Sequence, residues 1–236
     1  MQLQVQDVTI KKLALIPARK GSKSIPGKNL IEIQDEPLVM RAVRVARESK
    51  VFDKVVVSTN DEKVISICEA SNVEYILRPD SLSTDFSPME PVVLHAIEEL
   101  DWMKEEALCF LLQPTSPLRT IEHIKDSLKL YLKMRASSLI SVSEIDNSFL
   151  KSFVLREDDS LKPVSDHRYP FARRQDLPLT YKSNGSIYIF SVQEFLKYKT
   201  FLIDKSISYL MTEEESLDID THEDLEKVKI LLHEIN

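Results

Sequence analysis

Four cationic side chains lie in one short loop that directly follows an apolar run. They are Arg19, Lys20, Lys23 and Lys28. The loop also holds Gly21 and Gly27, two of only three glycines in the chain. Glycine allows backbone N–H groups to approach a ligand closely, and the cations neutralise negative charge. The combination predicts a phosphate-binding loop, although a solvated basic turn has a similar composition.

This loop differs from the P-loop of ATPases, which has the pattern G-x-x-x-x-G-K-[ST]. Five residues instead of four separate Gly21 from Gly27, and one of them, Pro26, has no backbone N–H. Asn29 stands where the P-loop has its magnesium-binding hydroxyl. An ATPase-type loop is therefore not predicted.

Two carboxylates, Asp218 and Asp220, flank Ile219 near the end of the chain. In an extended segment residues i and i+2 point the same way, so both carboxylates project to one side. Such a pair suits Mg²⁺, which keeps several waters and takes further ligands from substrate phosphates. As an alternative, Asp220 or Thr221 caps the final helix. The two interpretations are compatible if Thr221 caps and the carboxylates bind the metal.

A polar segment at 113–119, with the sequence QPTSPLR, contains two prolines that restrict its turn. Its hydrogen-bonding side chains are Gln113, Thr115, Ser116 and Arg119. An ordinary proline turn is the alternative, and in that case Glu122 pairs with Arg119.

A second basic region contains Arg173 and Arg174 and, further on, Lys182 before Asn184 and Gly185. Arginine binds carboxylates with two parallel hydrogen bonds, so the region suits a carboxylate ligand, although a salt-bridged surface turn has the same composition. Gly185 indicates a strained backbone or a close ligand approach. For Lys151, both an exposed position and an anion-binding role remain open.

Composition limits the class of protein. The chain has 236 residues, 43% hydrophobic and 29% charged, which suits one large globular domain or a domain with an appendage. A net charge of −7 argues against a nucleic-acid partner. No apolar run approaches the ~18 residues of a membrane span, and the N-terminus lacks the apolar core of a signal peptide, so we expect a cytoplasmic protein. The two cysteines, Cys68 and Cys109, have no metal-ligand spacing and are expected to be buried and reduced.

No nucleophile motif is present: the chain lacks G-x-S-x-G, H-E-x-x-H and a credible Cys/His pair. A covalent intermediate is therefore not indicated. A cationic loop for phosphates together with a carboxylate pair for Mg²⁺ favours nucleotidyl transfer, which needs positioning and charge neutralisation more than a protein nucleophile.

The elements that must position these groups alternate between strands and helices. Strands are predicted at 13–17, 54–59, 73–77, 107–113 and 138–142, and helices at 37–50, 61–71, 91–103, 121–135 and 223–235. The alternation predicts an α/β fold of three layers (αβα), with a mainly parallel, Rossmann-like sheet of the nucleotidyltransferase type. Ligands of such sheets bind beyond the carboxyl ends of the strands, where both the basic loop and 113–119 begin.

The alternation stops at about residue 143. Strands are predicted at 151–156 and 181–190, with a stretch rich in Pro, Arg and Asp between them. We interpret 143–205 as an inserted, β-rich dimerisation and sugar-binding subdomain. The nucleotide-binding α/β domain is then 11–142 plus 206–236.

Seven segments occur in order along nearly the whole chain: IPARKGSKSIPGKN (16–29), VSTND (57–61), LRP (77–79), QPTSPLR (113–119), RRQDLP (173–178), NGSIYI (184–189) and DIDT (218–221). With them the sequence strongly resembles the acylneuraminate cytidylyltransferases, the CMP-sialic acid synthetases. The resemblance implies transfer of a cytidylyl group from CTP to the anomeric hydroxyl of a nonulosonic acid, N-acetylneuraminate, with release of pyrophosphate.

The resemblance also implies roles for residues at the nucleotide end. Those that hold the CTP phosphates are Arg19, Lys23, Lys28 and Asn29. Asp218 and Asp220 bind Mg²⁺, and Asp220 helps to activate the sugar hydroxyl. Ser58 and Arg78, in two of the matching segments, are expected to bind substrate.

At the sugar end, the resemblance implies that Gln113 and Ser116 face the sugar acid. Tyr188 and Phe201 resemble part of the pocket for the acyl-sugar. Lys151 and Arg174 resemble residues that, in dimers of this family, reach into the partner's site towards the sugar carboxylate and tail. A homodimer is therefore expected.

Two positions depart from a frequent family pattern. Asn60 replaces a common aspartate, and Lys182 stands where arginine often precedes the Asn-Gly pair, which removes the planar fork that binds a carboxylate. The sequence does not separate sialate from legionaminate or pseudaminate, and a ketodeoxyoctonate version is less favoured because that family usually lacks the 16–29 pattern. A nucleotide-binding regulatory protein without turnover is the alternative from another class, and the intact Asp218 and Asp220 count against it.

Overall fold

The computed structural model describes residues 10–101 and 106–234. The polar N-terminus, the last two positions of the helix predicted at 91–103 and the last position of the helix predicted at 223–235 lie outside the described residues. In chain order the strands are β1 (Lys11–Pro17), β2 (Glu32–Ile33), β3 (Glu36–Pro37), β4 (Lys54–Thr59), β5 (Glu74–Leu77), β6 (Ala107–Leu111), β7 (Ser138–Ile145), β8 (Phe153–Leu155), β9 (Leu161–Pro163), β10 (Thr180–Ser191) and β11 (Ser206–Leu210). The helices are α1 (Leu38–Ser49), α2 (Glu62–Ala70), α3 (Met89–Glu99), α4 (Ile121–Met134), α5 (Val192–Tyr198) and α6 (His222–Glu234).

One seven-stranded sheet has the order β11-β7-β10-β6-β1-β4-β5. Its pairs are parallel except for β10, which runs antiparallel to both β6 and β7. Two smaller sheets pair β2 with β3 and β8 with β9. The predicted mainly parallel α/β fold is confirmed.

The core lies on both faces of the sheet, and β1 shows how the sequence arranges it. Ala14 and Ile16 of β1 pack on one face, in a cluster with side chains of α1, α2 and α4. Leu13 and Leu15 point to the other face, where they pack with side chains of α3 and α5. All four are completely buried, as expected for a parallel strand that is covered on both faces. The three-layer arrangement is therefore also confirmed.

Both cysteines are buried and free, as predicted. Burial raises the pKa of the Cys68 thiol to about 11 and also raises that of Cys109, because the low-dielectric core disfavours the thiolate. Helix α2 begins after Asp61, its N-cap, whose carboxylate accepts a hydrogen bond from the N–H of Lys63 at 3.0 Å. Among the described helices, none is long and apolar enough to cross a membrane.

The expected boundaries at 143 and 205 cut through the main sheet. Strand β10 lies between β6 and β7, with Ile187, Ile189 and Phe190 buried, so it belongs to the α/β layer and not to an insertion. Residues 146–179 of the interval lie outside the main sheet and include the β8–β9 hairpin, whereas 192–205 contain α5, which packs on the sheet. The strand predicted at 151–156 is also shorter, because Asn147–Lys151 forms a 3₁₀ turn in which Asp146 accepts a hydrogen bond from the N–H of Ser148 at 2.7 Å. Lys151 therefore ends a turn and does not lie in a strand.

Candidate functional site

The basic loop and the 113–119 segment meet at the carboxyl ends of β1 and β6. Between them lies a cavity of about 180 Å³, which we call the phosphate-loop cavity. Its lining consists of Pro17, Arg19, Gly21, Ser22, Lys28, Asn29, Arg78, Met89, Gln113, Pro114 and Thr115. Among the residues that the structure describes, no acidic side chain lines this cavity. The predicted convergence of the two loops is thus found.

Three cations surround this cavity. Lys28 and Arg78 are 9% and 3% exposed. Arg78 donates to the hydroxyl of Ser58 at 3.1 Å and to its carbonyl, so Ser58 does not line the cavity but holds a residue that does. Burial, followed by the charge of Arg19, lowers the pKa of Arg78 to about 10. A cavity bordered by Arg19, Lys28 and Arg78 suits a polyanion.

The path of the basic loop is set by two asparagines. Asn29 donates its side-chain N–H to the carbonyl of Arg19 at 3.1 Å. The amide oxygen of Asn60 accepts the N–H of Lys20 at 2.7 Å, and its nitrogen donates to Asp80 at 2.9 Å. An aspartate at position 60 has no N–H to give Asp80 and places a like charge beside it. Asn60, which replaces the aspartate common in the family, therefore has a matching hydrogen-bond partner in Asp80.

Two cations of the loop are paired with an acid that the sequence analysis missed. Asp85 lies 2.7 Å from Arg19 and 3.4 Å from Lys23. The ammonium of Lys23 also lies 4.7 Å from the ring centre of Phe86. Lys23 does not line the phosphate-loop cavity; it borders a neighbouring groove of about 440 Å³. Nothing in the sequence distinguished Asp85 from the other polar residues of the 80–88 loop.

The carboxylate pair lies beside the 113–119 segment. Ile219 is completely buried, as predicted, and its N–H donates to the carbonyl of Thr115 at 2.9 Å. Asp218 is partly buried, and one of its carboxylate oxygens has no hydrogen-bond partner. Burial is the largest cause that raises the pKa of Asp218, to about 6; Asp220 raises it further, and Thr115 and Lys28 oppose the shift. Asp220 is more exposed and lies 2.9 Å from the ammonium of Lys28.

The cap of helix α6 is formed by Thr221 and Asp224, not by Asp220. Thr221 Oγ1 accepts the N–H of Asp224 at 3.2 Å, and the Asp224 carboxylate accepts the N–H of Thr221 at 2.8 Å. This reciprocal pair satisfies the first donors of the helix. Of the alternatives left open by the sequence, the cap belongs to Thr221. The carboxylate of Asp220 contacts Lys28 instead of the helix.

The donor set at Asp218 and Asp220 fits Mg²⁺. No group of three or more His, Cys, Asp or Glu side chains that could hold a metal occurs within the described ranges. Mg²⁺ does not need such a group, because one or two carboxylates and substrate phosphates are sufficient. The buried Asp218 oxygen without a partner is the observation that favours a cation ligand there.

A larger cavity of about 790 Å³ adjoins the carboxylate pair, and we call it the large cavity. Its walls include Ser143, Glu144, Asp146, Lys182, Asn184, Tyr188, Glu213, Asp218 and Asp220. Gln113 lines both this cavity and the phosphate-loop cavity, so the two spaces meet at its side chain. Tyr188, expected from the resemblance to bind the acyl-sugar, lines the large cavity. Phe201 packs behind Tyr188, with 5.4 Å between ring centres, and does not line the cavity.

A buried arginine holds the junction of the two cavities. Arg119 is 4% exposed and donates to the carbonyls of Gln113 at 3.0 Å and Ser186 at 2.7 Å. Burial lowers its pKa to about 9. The alternative in which Arg119 pairs with Glu122 is wrong, because Arg119 lies inside the protein and Glu122 is exposed. Arg119 instead ties the end of β6 to β10.

Gly185 is required by a close approach. Its φ is +74°, and a Cβ there would lie 2.6 Å from the side-chain oxygen of Gln113. Within the chain, the close approach to Gly185 is made by the side chain of Gln113. The neighbouring Asn184 is 5% exposed and donates to Ser216 at 2.8 Å, which anchors the chain just before Asp218.

Besides Phe201, three further residues expected to bind the sugar do not line the large cavity within one chain. Ser116 is 1% exposed, and its hydroxyl has no partner. Lys151 lies at the end of its 3₁₀ turn. Arg174 pairs with Asp146 at 2.7 Å and lines an adjacent groove of about 670 Å³, which shares Asp146 with the large cavity.

A family model described as Cytidylyltransferase matches residues 13–235. The N-acylneuraminate cytidylyltransferase of Escherichia coli O18:K1:H7 is 34% identical over 92% of this chain and 51% of its own length. The chain thus spans about half the length of such relatives. The pseudaminic acid cytidylyltransferase of Campylobacter jejuni is 30% identical over 94% of this chain and 96% of its own length. The CMP-N,N'-diacetyllegionaminic acid synthase of Legionella pneumophila is 32% identical, with 89% and 90% covered.

Solved structures support the fold. CMP:2-keto-3-deoxy-manno-octonic acid synthetase complexed with CTP has a TM-score of 0.72 at 17% identity, covering 96% of this chain and 100% of that one. A 4-diphosphocytidyl-2C-methyl-D-erythritol synthase has a TM-score of 0.66 at 14% identity, covering 95% and 100%. At these identities the similarity concerns the fold alone.

Proposed function

Because the chain belongs to the cytidylyltransferase family, we propose that it transfers the cytidylyl group of CTP to a nonulosonic acid and releases pyrophosphate. One observation carries the proposal: a cation-lined cavity and a larger cavity meet at Gln113, beside the Asp218–Asp220 pair. Two substrates that must react with each other need two adjoining spaces, with charge compensation at their junction.

The nucleotide phosphates bind at the phosphate-loop cavity in this proposal. Arg19, Lys28 and Arg78 compensate the charge of the triphosphate and of the departing pyrophosphate. Asn29 fixes the loop through the Arg19 carbonyl, so its role is to shape the site. Lys23 is exposed and adds charge from the rim.

In the reaction, the oxygen of the anomeric hydroxyl bonds to the α-phosphorus of CTP, the bond from the α-phosphorus to the oxygen that bridges it to the β-phosphorus breaks, and pyrophosphate leaves with that oxygen. Asp218 and Asp220 hold Mg²⁺, which when bound neutralises charge on the phosphates. Asp220 pairs with Lys28 and lines the large cavity. We propose that its carboxylate accepts the proton of the hydroxyl. Lys28 thus serves both the phosphates and the carboxylate.

The sugar acid occupies the large cavity. Tyr188 forms an apolar wall for the acyl group, the Gln113 amide offers hydrogen bonds, and Lys182 supplies a positive charge on the same wall. We propose N-acetylneuraminate as the substrate, with legionaminate and pseudaminate as alternatives, because cytidylyltransferases named for sialic and pseudaminic acids and a CMP-legionaminic acid synthase are similar to comparable degrees. CTP is a cytoplasmic metabolite, so we place the reaction in the cytoplasm.

A homodimer completes the site in this proposal. Large apolar side chains are exposed along the segment outside the main sheet: Phe149, Phe153, Val154, Leu155, Leu161, Val164, Phe171 and Leu179. A concentration of exposed apolar residues favours burial against another protein surface. Pairing of two copies through this face, which we call the apolar face, brings Lys151 and Arg174 of each chain towards the partner's large cavity.

The test is pyrophosphate release by the purified chain with saturating CTP and Mg²⁺. The sugar panel contains N-acetylneuraminate, legionaminate, pseudaminate and ketodeoxyoctonate. We expect the highest kcat/KM with N-acetylneuraminate. A preference for another acid of the panel changes the substrate, and binding of CTP without turnover on any of the four supports a regulatory nucleotide-binding protein instead.

A further inference from the structure

Asp85 faces two cations of the basic loop, and its carboxylate lies close enough to compensate part of their positive charge. Its two carboxylate oxygens lie 2.7 Å from Arg19 and 3.4 Å from Lys23. The side chain is 28% exposed, so these pairs are partly shielded from water. The hydrogen bond from Arg19 is the largest cause that lowers the pKa of Asp85, so the carboxylate is charged at neutral pH.

The loop that carries Asp85 is held by its own hydroxyl groups. Thr84 and Ser87 are linked at 2.8 Å, the N–H of Thr84 donates to Ser87 Oγ at 3.0 Å, and Ser87 Oγ donates to the carbonyl of Ser81 at 3.3 Å. The hydrogen bonds and ion pairs of the Asp85 side chain go instead to the opposite loop. Its removal therefore leaves the internal bonds of the loop in place.

Of the two cations that Asp85 contacts, Arg19 is the less exposed, at 31% against 71% for Lys23. Arg19 also borders the phosphate-loop cavity, together with Lys28 and Arg78, and its charge contributes to the lowered pKa of Arg78. The Asp85 carboxylate supplies two oxygens to two cations, as an unesterified phosphate group does. A carboxylate in this position and a polyphosphate in the phosphate-loop cavity therefore compete for Arg19, while Lys23 lies at the rim.

We propose that Asp85 is an exchangeable counter-ion, which pairs with Arg19 and Lys23 in the free protein, yields them to the phosphates of CTP and pairs with them again as pyrophosphate leaves. The inference rests on the proposed function and deepens it. Asp85 thereby weakens the binding of pyrophosphate, so that the product does not stay in the cation-rich cavity. It is a positioning residue, since it acts through Arg19 and Lys23.

Asp85→Asn keeps the size of the side chain and removes its charge, and Asp80→Asn is a matched control. Asp80 lies on the same segment, but its carboxylate contacts Asn60 and not a loop cation. Calorimetric titrations of pyrophosphate and of CTP, at constant Mg²⁺, measure binding without turnover. We expect Asp85→Asn to bind pyrophosphate about tenfold tighter than the wild type. Asp80→Asn and Asp85→Glu are expected to stay within about threefold of the wild type.

Turnover provides a second readout. Tighter product binding predicts stronger inhibition by added pyrophosphate and a lower kcat for Asp85→Asn, with an unchanged Mg²⁺ requirement. Unchanged or weaker pyrophosphate binding by Asp85→Asn overturns the proposal that Asp85 is an exchangeable counter-ion. A raised Mg²⁺ requirement also overturns it, because it identifies Asp85 as a metal ligand. If the wild type binds CTP and pyrophosphate but Asp85→Asn equals it, only this inference fails. If the wild type binds neither, the proposed function fails with it.

Discussion

The ammonium of Lys28 lies 2.9 Å from the carboxylate of Asp220, although 192 positions separate the two residues. Lys28 lines the phosphate-loop cavity and Asp220 lines the large cavity. Lys28 is almost completely buried, and Asp220 retains 71% exposure of its side chain. This single ion pair therefore joins the space assigned to the phosphates with the space assigned to the sugar.

Lys28→Met retains the apolar stem and removes the charge. We expect kcat/KM for CTP to fall on the order of 100-fold, because the phosphates lose a buried cation and Asp220 loses its partner. Steady-state pyrophosphate release measures the loss. Lys20→Met is the matched control, since Lys20 is an exposed cation of the same loop, and we expect it to lose less than about threefold. Equal losses in the two variants would contradict a specific role for Lys28.

Removal of divalent metal with a chelator is expected to abolish turnover, and added Mg²⁺ to restore it. Asp218→Asn and Asp220→Asn are each expected to lose most turnover, because each removes one of the two carboxylates. CTP binding should be affected less, since the cations of the phosphate-loop cavity remain.

Thr221→Ala separates metal binding from helix capping. It removes the cap of α6 and should cost about 1 kcal/mol of stability while most turnover remains. Denaturant unfolding and pyrophosphate release measure the two effects. Wild-type turnover by Asp220→Asn would show that the charge of Asp220 is not needed for the reaction.

The convergence of the site was predictable because of the fold. In a parallel sheet the carboxyl ends of all strands lie at one edge. Because β1 and β6 are parallel neighbours, the loops that follow them lie side by side whatever their sequences are. The direction of Asp218 and Asp220 was predictable as well, because Ile219 between them is apolar and turns inward.

Other features were not accessible to sequence patterns. The antiparallel β10 is buried between β6 and β7, and alternation along one strand does not show which neighbours it will have. Arg119 looked like a partner for an acid, but it donates to the carbonyl of Gln113 in its own segment and to that of Ser186, which is 67 positions away. The pairing of Asp85 with Arg19 is likewise a contact across 66 positions, which no local spacing records.

Gly185→Ala places a methyl group 2.6 Å from the Gln113 side-chain oxygen and imposes a φ that alanine disfavours. Because the end of the Gln113 side chain can move, we expect the clash to displace its amide and raise the KM for the sugar acid roughly tenfold. Gly27→Ala is the matched control for strain, since Gly27 has a φ of +68° and open space around its Cβ position. Denaturant unfolding should show a similar stability loss of about 1–2 kcal/mol in both variants.

The same change in a Gln113→Ala background tests the mechanism. Without the amide to displace, Gly185→Ala should raise the KM for the sugar acid little further, which a double-mutant cycle measures. Additive effects on KM would mean that Gly185 acts independently of Gln113.

Leu155→Asp on the apolar face is expected to give a monomer at micromolar concentration, because a charge replaces a side chain that the dimer buries. Light scattering measures the mass of the wild type and the variant. Leu202→Asp is the control, since Leu202 is 70% exposed but lies outside the apolar face. A monomeric wild type would remove the proposed dimer and the roles of Lys151 and Arg174 in the partner's site.

Mixing two inactive variants tests whether Arg174 acts across the dimer. Arg174→Ala and Asp220→Asn each spoil both sites of their own homodimer, but a mixed dimer contains one site with Asp220 from one chain and Arg174 from the other. After subunit exchange, we expect the mixture to recover about a quarter of wild-type turnover. Lys28→Met mixed with Asp220→Asn is the control and should recover none, because Lys28 and Asp220 form their ion pair within one chain. No recovery in the Arg174→Ala mixture, with exchange verified by mass spectrometry, would show that Arg174 acts within its own chain.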